Sequence, residues 1–336
     1  MTYGEIQSDL ESRIKVCVAM VAYNQAQFIE DAINGVLMQE ADFEIQLVIG
    51  EDFSTDNTRQ ICERYARQYP EKIKLLKSTR NHGIQKNGFR TIEACLSATY
   101  IAFCEGDDVW IDKHKLRHQV GLLEKNRSAQ AHAHNVIRRN LITMEQDSDF
   151  GVRKDRELVT RDLFMGLSFH IVSLMVRAEL MRSIPVHNLP QFISCDRFIN
   201  MWIGCHGTMI YEGTKFMAMY RRHQLGASAN ANMVHVRQED LATLSFFRAY
   251  LSDEGLYREL RLDAIKGLFF ASAKLDSPIS LQRWPLLLEF MQLASFMKMT
   301  NVYFLFLIIF GRPYYRLYEA LKGFGRKFLR TRIAVP

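Results

Sequence analysis

"KVCVAMVAYNQAQFIEDAINGVLMQ", residues 15–39, decides the fold. Its first nine residues are a short apolar run rich in Val, as a parallel strand buried on both faces would be. Phe28, Ile29, Ala32, Ile33, Val36 and Leu37 then recur at helical spacing, which predicts a helix over 28–39. The pair repeats. "EIQLVIG" (44–50) reads as a strand and 56–69 as a helix capped by Ser54 or Thr55. "KIKLLKS" (72–78) is a third strand, 88–98 a third helix, and "TYIAFC" (99–104) a fourth strand. Strand and helix in alternation imply βαβ units, right-handed crossovers and a mostly parallel sheet flanked by helices, an α/β fold.

In such sheets ligands bind beyond the carboxyl ends of the strands. Four loops lie there: "AYN" (22–24), "EDFSTD" (51–56), "TRNHG" (79–83) and "EGDD" (105–108). The last holds Glu105, Asp107 and Asp108, three carboxylates in four residues that repel one another. The phosphate-binding loops that would explain such a cleft are absent. "AYNQAQ" after the first strand has no Gly, against GxGxxG. "GIQKNGFR" (83–90) has the two Gly of a P-loop but Phe89 where Lys belongs. A nucleoside diphosphate would therefore need another counter-charge. Mg²⁺ or Mn²⁺ held by Glu105, Asp107 and Asp108 supplies one. A solvated acidic turn or a helix cap is the alternative reading of the same residues.

Beyond residue 115 the alternation weakens. The pattern predicts an amphipathic helix over 113–126, a strand over 129–137, a polar loop over 140–157 and a strand over 169–177. A helix around 195–207, a strand over 208–223 and helical structure over 235–275 follow. His114 and His118 are four apart, but Lys115 and Arg117 between them indicate a solvated face. Hydrophobic content of 48% and charged content of 24% are those of an ordinary globular protein. The six Cys form no CxxC, so buried reduced thiols are expected rather than zinc or disulfides. Residues 1–13 read as a flexible start without a signal peptide.

The net charge of +6 is confined to one end. From Gly311 onward seven cations face one acid, so residues 1–310 are neutral overall. That argues against a nucleic-acid-binding face on the main body. Residues 301–332 combine an apolar run, too short to span a bilayer, with those cations. The combination fits an interfacial segment on an anionic membrane surface, with a core helix plus solvated tail as the plain alternative.

The four loop motifs, in order, resemble those of the GT-A glycosyltransferases of family 2. "EGDDVWIDKHKLRHQV" is similar to a bacterial subgroup of surface-polysaccharide enzymes. The likeness runs from about Lys15 to His223 and does not cover 224–336. It implies a metal-dependent, inverting transfer of a sugar from a nucleotide-diphospho-sugar to a saccharide or lipid-linked acceptor. The resemblance places Tyr23, Asn24 and Asp52 on the nucleotide, with Asp52 accepting from the base. Asp107 falls on the ribose or metal, Asp108 on the metal, and Glu105 stands where the family often has Asp. Asp56 is expected to cap a helix. Asp196, in "SCDRFINMW", falls where the family has its general base. "YRRHQLG" (220–226) puts Arg221 and Arg222 near the diphosphate and His223 near the metal. His134, Asn135 and Ser173 fall at acceptor-pocket positions.

The implied organisation is a catalytic domain over 14–230, a helical region over 231–310 and a basic tail over 311–336. The implied setting is the cytoplasmic side of the cell membrane, with the chain peripheral on its inner face. Two other readings compete. One is a non-catalytic sugar-nucleotide or glycan-binding protein of the same fold, against which the retained Asp196, Asp107 and Asp108 argue. The other is a nucleotidyltransferase, which would need a Gly- and Arg-rich loop after the first strand.

Overall fold

The computed structural model describes residues 14–145, 147–165, 169–189, 195–224, 226, 232–274 and 289–290. The chain divides into two compact units. One comprises residues 1–189 and 193–230, the other residues 190–192 and 231–336.

The first unit opens with β1 (Ile14–Ala22), α1 (Ile29–Leu37), β2 (Glu44–Glu51), α2 (Thr58–Gln68), β3 (Ile73–Leu76), α3 (Ile84–Glu93) and β4 (Tyr100–Phe103). β1 pairs in parallel with both β2 and β4, and β2 with β3, as the alternation predicts. Then follow β5 (Val109–Trp110), α4 (Lys115–Lys125), β6 (Ala129–Asn140), β7 (Ser148–Asp149), β8 (Arg156–Leu158) and α5 (Thr160–Phe164). A 3-10 turn (Ile171–Ser173), β9 (Met175–Arg177), α6 (Ala178–Arg182), α7 (Cys195–His206) and β10 (Thr208–Arg222) complete it.

Among the described residues these strands form one ten-stranded sheet, ordered β3-β2-β1-β4-β9-β6-β10-β5, with β7 on β6 and β8 on β10. The long ladders, β1–β2 and β6–β10, are parallel. The short β9 is antiparallel to both β4 and β6 and joins the two halves.

β1 is central and apolar on both faces, and Val16, Val18 and Met20 expose nothing. α1 covers it with Ile29, Ala32, Ile33 and Val36. Gly35 lets this helix lie on β5, because a Cβ there would stand 2.9 Å from the Trp110 carbonyl oxygen. Burying each such large side chain contributes about 1.5–3 kcal/mol.

Local reading misplaced two elements. The helix predicted over 88–98 runs over Ile84–Glu93. Gly83, with φ 82°, turns the chain into it, while Gly88 lies inside the helix and faces the Cys195 side chain. The strand predicted over 169–177 breaks into the 3-10 turn and β9.

The loops at the carboxyl ends of β1 and β2 are clipped together. Asn24, with φ 52°, accepts from the Thr55 N–H at 2.8 Å, and its own N–H donates to Ser54 Oγ. Asp56 accepts from the N–H groups of Ala26 and Thr58, the helix-start role expected of it. Glu51, with no exposed surface, accepts from the Ser54 N–H at 2.6 Å and from Arg59 Nε at 2.7 Å.

In the second unit, α8 (Met233–Phe247) starts at Asn232, whose side chain accepts from the Val234 and His235 N–H groups. α9 (Glu254–Lys274) pairs with it, and Arg261 donates to the Leu241 carbonyl and to Glu289. The predicted interfacial segment at 301–332, the tail at 311–336 and the start at 1–13 lie outside the described residues. Among the described residues no helix is long and apolar enough to cross a membrane.

Glu51 generates the first prediction. Glu51→Leu removes the carboxylate that Arg59 and the Ser54 N–H share, leaves Arg59 only the Ser78 carbonyl, and is expected to cost about 2–4 kcal/mol. Urea unfolding measures it, and an unchanged midpoint contradicts the bracing role.

Candidate active site

The described residues meet at the carboxyl ends of β1, β2, β3 and β4. Tyr23 is 45% exposed, and Phe53 and Ile84 are likewise exposed, so the first two loops and the start of α3 each present one large apolar side chain. Asp52 lies between them, buried. One of its carboxylate oxygens accepts from the His82 N–H at 2.8 Å and the other from the Gly83 N–H at 3.0 Å. Each oxygen keeps a further lone pair. Asp52 therefore fixes the third loop and still presents acceptor capacity.

The fourth loop is tied to β1 by Cys104 N–H donating to the Ala19 carbonyl and Gly106 N–H to that of Val21. Its main brace is Arg221, from β10. The Arg221 N–H donates to Asp108 Oδ1 at 3.0 Å, Nε to the Asp107 carbonyl at 2.6 Å, and Nη1 to Asp31 at 2.8 Å. Nη2 donates to the Phe28 and Asp108 carbonyls, and the guanidinium lies over the Phe28 ring. The arginine expected near a diphosphate is thus engaged within the protein. Arg222 is exposed, and its guanidinium has no partner among the described residues. His223 packs on Phe28, with Nε2 3.0 Å from Asp107 Oδ2.

The carboxylates are not neutralised by this brace. Burial, then the charge on Asp107, pushes both Glu105 and Asp108 well above the usual carboxylate range. Asp196 adds to the effect on Glu105 and Glu105 to that on Asp108. Asp108 is 1% exposed, and its Oδ2 is buried without a hydrogen bond. His170 Nδ1 stands 3.3 Å from that oxygen. Burial draws the His170 imidazole down to about 4, against the opposing pull of Asp196 and Asp107. Glu105, Asp108 and His170 each offer one ligand atom, all within 4.8 Å of one another. Two carboxylates, a neutral imidazole and an orphaned buried oxygen fit a divalent cation.

Asp196 sits in the first turn of α7, where its Oδ1 accepts from the Arg197 N–H at 2.8 Å. Its charge bears on both Glu105 and His170. Packing of Cys195 against Gly88 sets the start of α7 beside α3.

Other expectations are corrected. His134, Asn135 and Ser173 expose no surface, so none lines an acceptor pocket here. Asn135 donates to the Gly151 and Gly213 carbonyls and accepts from the Gly151 N–H, which ties the middle of β6 to β10 at a register shift between them. The face of α4 read as solvated is partly buried: Lys115 has no exposure, and its Nζ donates to Gln119 Oε1 at 2.7 Å. His118 and His132 both reach Glu212 Oε2, at 2.5 and 3.0 Å. His170 itself was absent from the sequence reading. Its only local signal is a lone His at the head of an apolar run.

A cavity of about 800 Å³, lined by Tyr100, Glu124, Arg127, Arg177 and His206, opens elsewhere. Tyr100 begins β4, so this cavity lies at the opposite end of that strand from the acidic loop.

Residues 17–170 match the family model described as glycosyl transferase family 2. The dTDP-rhamnosyl transferase RfbG of Shigella flexneri is 34% identical over 136 residues, 38% of this chain and 46% of that protein. The chain spans about half the length of the curated relatives it matches, from 46% to 59% for several of them. S. aureus TarS 1–349 in complex with UDP-GlcNAc superposes with a TM-score of 0.60 at 17% identity, covering 83% of this chain and 79% of that one. Mannosyltransferase PcManGT from Pyrobaculum calidifontis, in complex with GDP-Man and Mn²⁺, gives a TM-score of 0.53 at 16% identity over 87% and 83% of the two chains. These likenesses establish the fold, the GT-A arrangement that the loop motifs implied.

The Glu212 cluster gives a prediction with a definite sign. Burial alone would raise this carboxyl, but bonds from His132 and His118 carry it down to about 2 from 4.5. A depressed carboxylate stabilises the fold above its ordinary value and loses that contribution as pH falls through the folded value. The stability gap between wild type and Glu212→Gln should therefore be full above pH 4.5 and close as pH falls toward about 2. Denaturant midpoints along that series measure it, and a gap that widens on acidification contradicts the assignment.

Proposed function

We propose that the chain carrying this family 2 segment transfers a sugar from a nucleotide-diphospho-sugar to a saccharide or lipid-linked hydroxyl, with inversion. The observation that carries the proposal is the pair of carboxylates Glu105, partly buried, and Asp108, buried, both pushed well above the usual carboxylate range, with Asp196 adding to the effect on Glu105. A non-enzymatic acidic turn has no need to bury them. The names of similar proteins agree with the donor class: one acts on a dTDP-sugar, and others bind UDP-GlcNAc or GDP-Man with Mn²⁺.

The nucleoside enters over the first three loops. Tyr23 and Phe53 offer ring faces to a base, and Asp52 offers the free lone pairs of its oxygens to a ring N–H. Asn24 holds the first two loops in register. Asp107 meets the ribose or the cation, and His223 orients its carboxylate. A divalent ion on Glu105, Asp107 and Asp108 would offset charge developing on the departing diphosphate. Arg222 is the exposed cation left to meet the same diphosphate.

Asp196 acts as general base. It takes the proton from the acceptor hydroxyl as that oxygen attacks the anomeric carbon. The new C–O bond forms while the bond from that carbon to the phosphate oxygen breaks, and the nucleoside diphosphate leaves with the bonding pair. The proposed setting is the inner face of the cell membrane, in surface-polysaccharide assembly. The cations of residues 311–336 suit anionic lipid there.

Release of nucleoside diphosphate from UDP-, GDP- and dTDP-sugars, with Mn²⁺ and an oligosaccharide acceptor, tests the proposal. Chelation is expected to abolish release. Asp196→Asn is expected to lower kcat by about 100-fold or more with donor KM nearly unchanged. Donor binding without turnover by the wild type would identify a non-catalytic binding protein instead.

A further inference from the structure

Two clusters in the first unit bring imidazole and carboxylate together, and their hydrogen bonding sets them apart. In the first, Gln119 fixes the protonation of His132. Its Oε1 accepts from Lys115, which only donates, so its Nε2 faces the Ser173 carbonyl at 2.8 Å and His132 Nδ1 at 2.9 Å. Nε2 therefore donates to His132 Nδ1, and the neutral ring carries its proton on its own Nε2, aimed at Glu212. A metal would need a lone pair there. His118, His132 and Glu212 form a hydrogen-bonded group and not a metal site.

The second cluster lacks such a proton. The Val172 N–H donates to His170 Nδ1 at 3.4 Å, so this nitrogen carries a lone pair. It faces Asp108 Oδ2, itself buried and without a hydrogen bond, at 3.3 Å. Two lone-pair atoms in contact inside the protein repel unless a proton or a cation lies between them, and 3.3 Å is longer than a well-formed hydrogen bond from a carboxylic acid. A separation of 3.3 Å is what two neighbouring ligands, each about 2.1 Å from one cation, adopt. The Val172 bond is long, and a cation is the stronger claimant on that lone pair.

We infer that His170 is a nitrogen ligand of the cation held by the acidic loop, alongside Glu105 and Asp108. The inference rests on the proposed metal-dependent transfer. It also assigns work to the run after the acidic loop. Trp110 Nε1 donates to the Val172 carbonyl at 2.9 Å, and Gln119 to that of Ser173. Ser173 donates twice to the His170 carbonyl, from Oγ at 2.7 Å and from its N–H at 2.9 Å. The imidazole stacks on Tyr220 with ring centres 4.1 Å apart, and Phe150 meets it edge-on. Trp110, Lys115 and Gln119 thus hold the turn that carries the ligand, as supporting shells do around bound metals. An imidazole among carboxylates favours Mn²⁺ and later transition ions over Mg²⁺ and Ca²⁺.

Pulsed electron paramagnetic resonance of Mn²⁺ bound to the full chain, with and without UDP, tests this. The bound ion should show modulation from one directly coordinated imidazole nitrogen. The modulation should persist in His223→Gln and vanish in His170→Gln, with Mn²⁺ affinity lowered about tenfold or more. Should His170→Gln fail to fold, anomalous scattering from Mn²⁺-soaked wild-type crystals decides, with the ion expected between His170 Nδ1 and Asp108 Oδ2. Bound Mn²⁺ without nitrogen modulation, modulation lost only in His223→Gln, or an ion placed away from His170 overturns this inference alone. No Mn²⁺ binding with or without UDP overturns the metal-dependent reading beneath it as well.

Discussion

The rest of the structure is arranged around mutual repulsion among Glu105, Asp107 and Asp108 at the end of a central strand. Water screens Asp108, which is buried, and the partly buried Glu105 and Asp107 only poorly, so their charge must be met by something specific. Arg221 meets it only in part, lowering the Asp108 pKa against the larger effects of burial, Asp107 and Glu105. Its guanidinium goes to carbonyl oxygens and to Asp31, and only its backbone N–H reaches a carboxylate of the loop. The brace holds the loop's shape and leaves its charge. Asp108 Oδ2 remains without a donor, and Glu105 and Asp108 are pushed toward protonation. A site that is costly empty and stable when a cation arrives is the simplest reading of that arrangement.

Around this loop the molecule separates two tasks. The loops after β1, β2 and β3 are tied to one another by hydrogen bonds of Asn24, Asp56 and Asp52. The other side is assembled from distant segments: His170 on a turn beside β9, Asp196 at the head of α7, and Arg221 and His223 around the end of β10. The antiparallel β9 brings them together, because it bridges β4, which delivers the acids, and β6, which carries β10.

The same division explains what could be read from sequence. Residues 14–103 are built from local βαβ units, and strand and helix periodicity located nearly every element there. The miss at α3 came from taking Gly88 as a boundary, when Gly83 with its left-handed φ is the true one. Beyond residue 115, contacts are long-range and periodicity loses its hold. The burial of His134, Asn135 and Ser173 depends on β6 lying between β9 and β10. Lys115 is buried because α4 lies under Trp110, whose ring sits 4.1 Å from its Nζ. No window around either residue contains that fact. The acidic loop and Asp196 could be singled out because their residue types and order resemble a family. His170 could not, because its importance lies in an atom of Asp108 sixty-two positions earlier.

The central claim is that the acidic loop is the cation-dependent half of a nucleotide-sugar site. The most direct test is a thermal-shift series on the full chain with UDP-, GDP-, CMP- and dTDP-sugars, each with and without Mn²⁺. The account predicts a rise in melting temperature with one nucleotide class, strong with Mn²⁺ and lost in Asp108→Asn. An equal shift without the metal, or none with any donor in a folded sample, would contradict it.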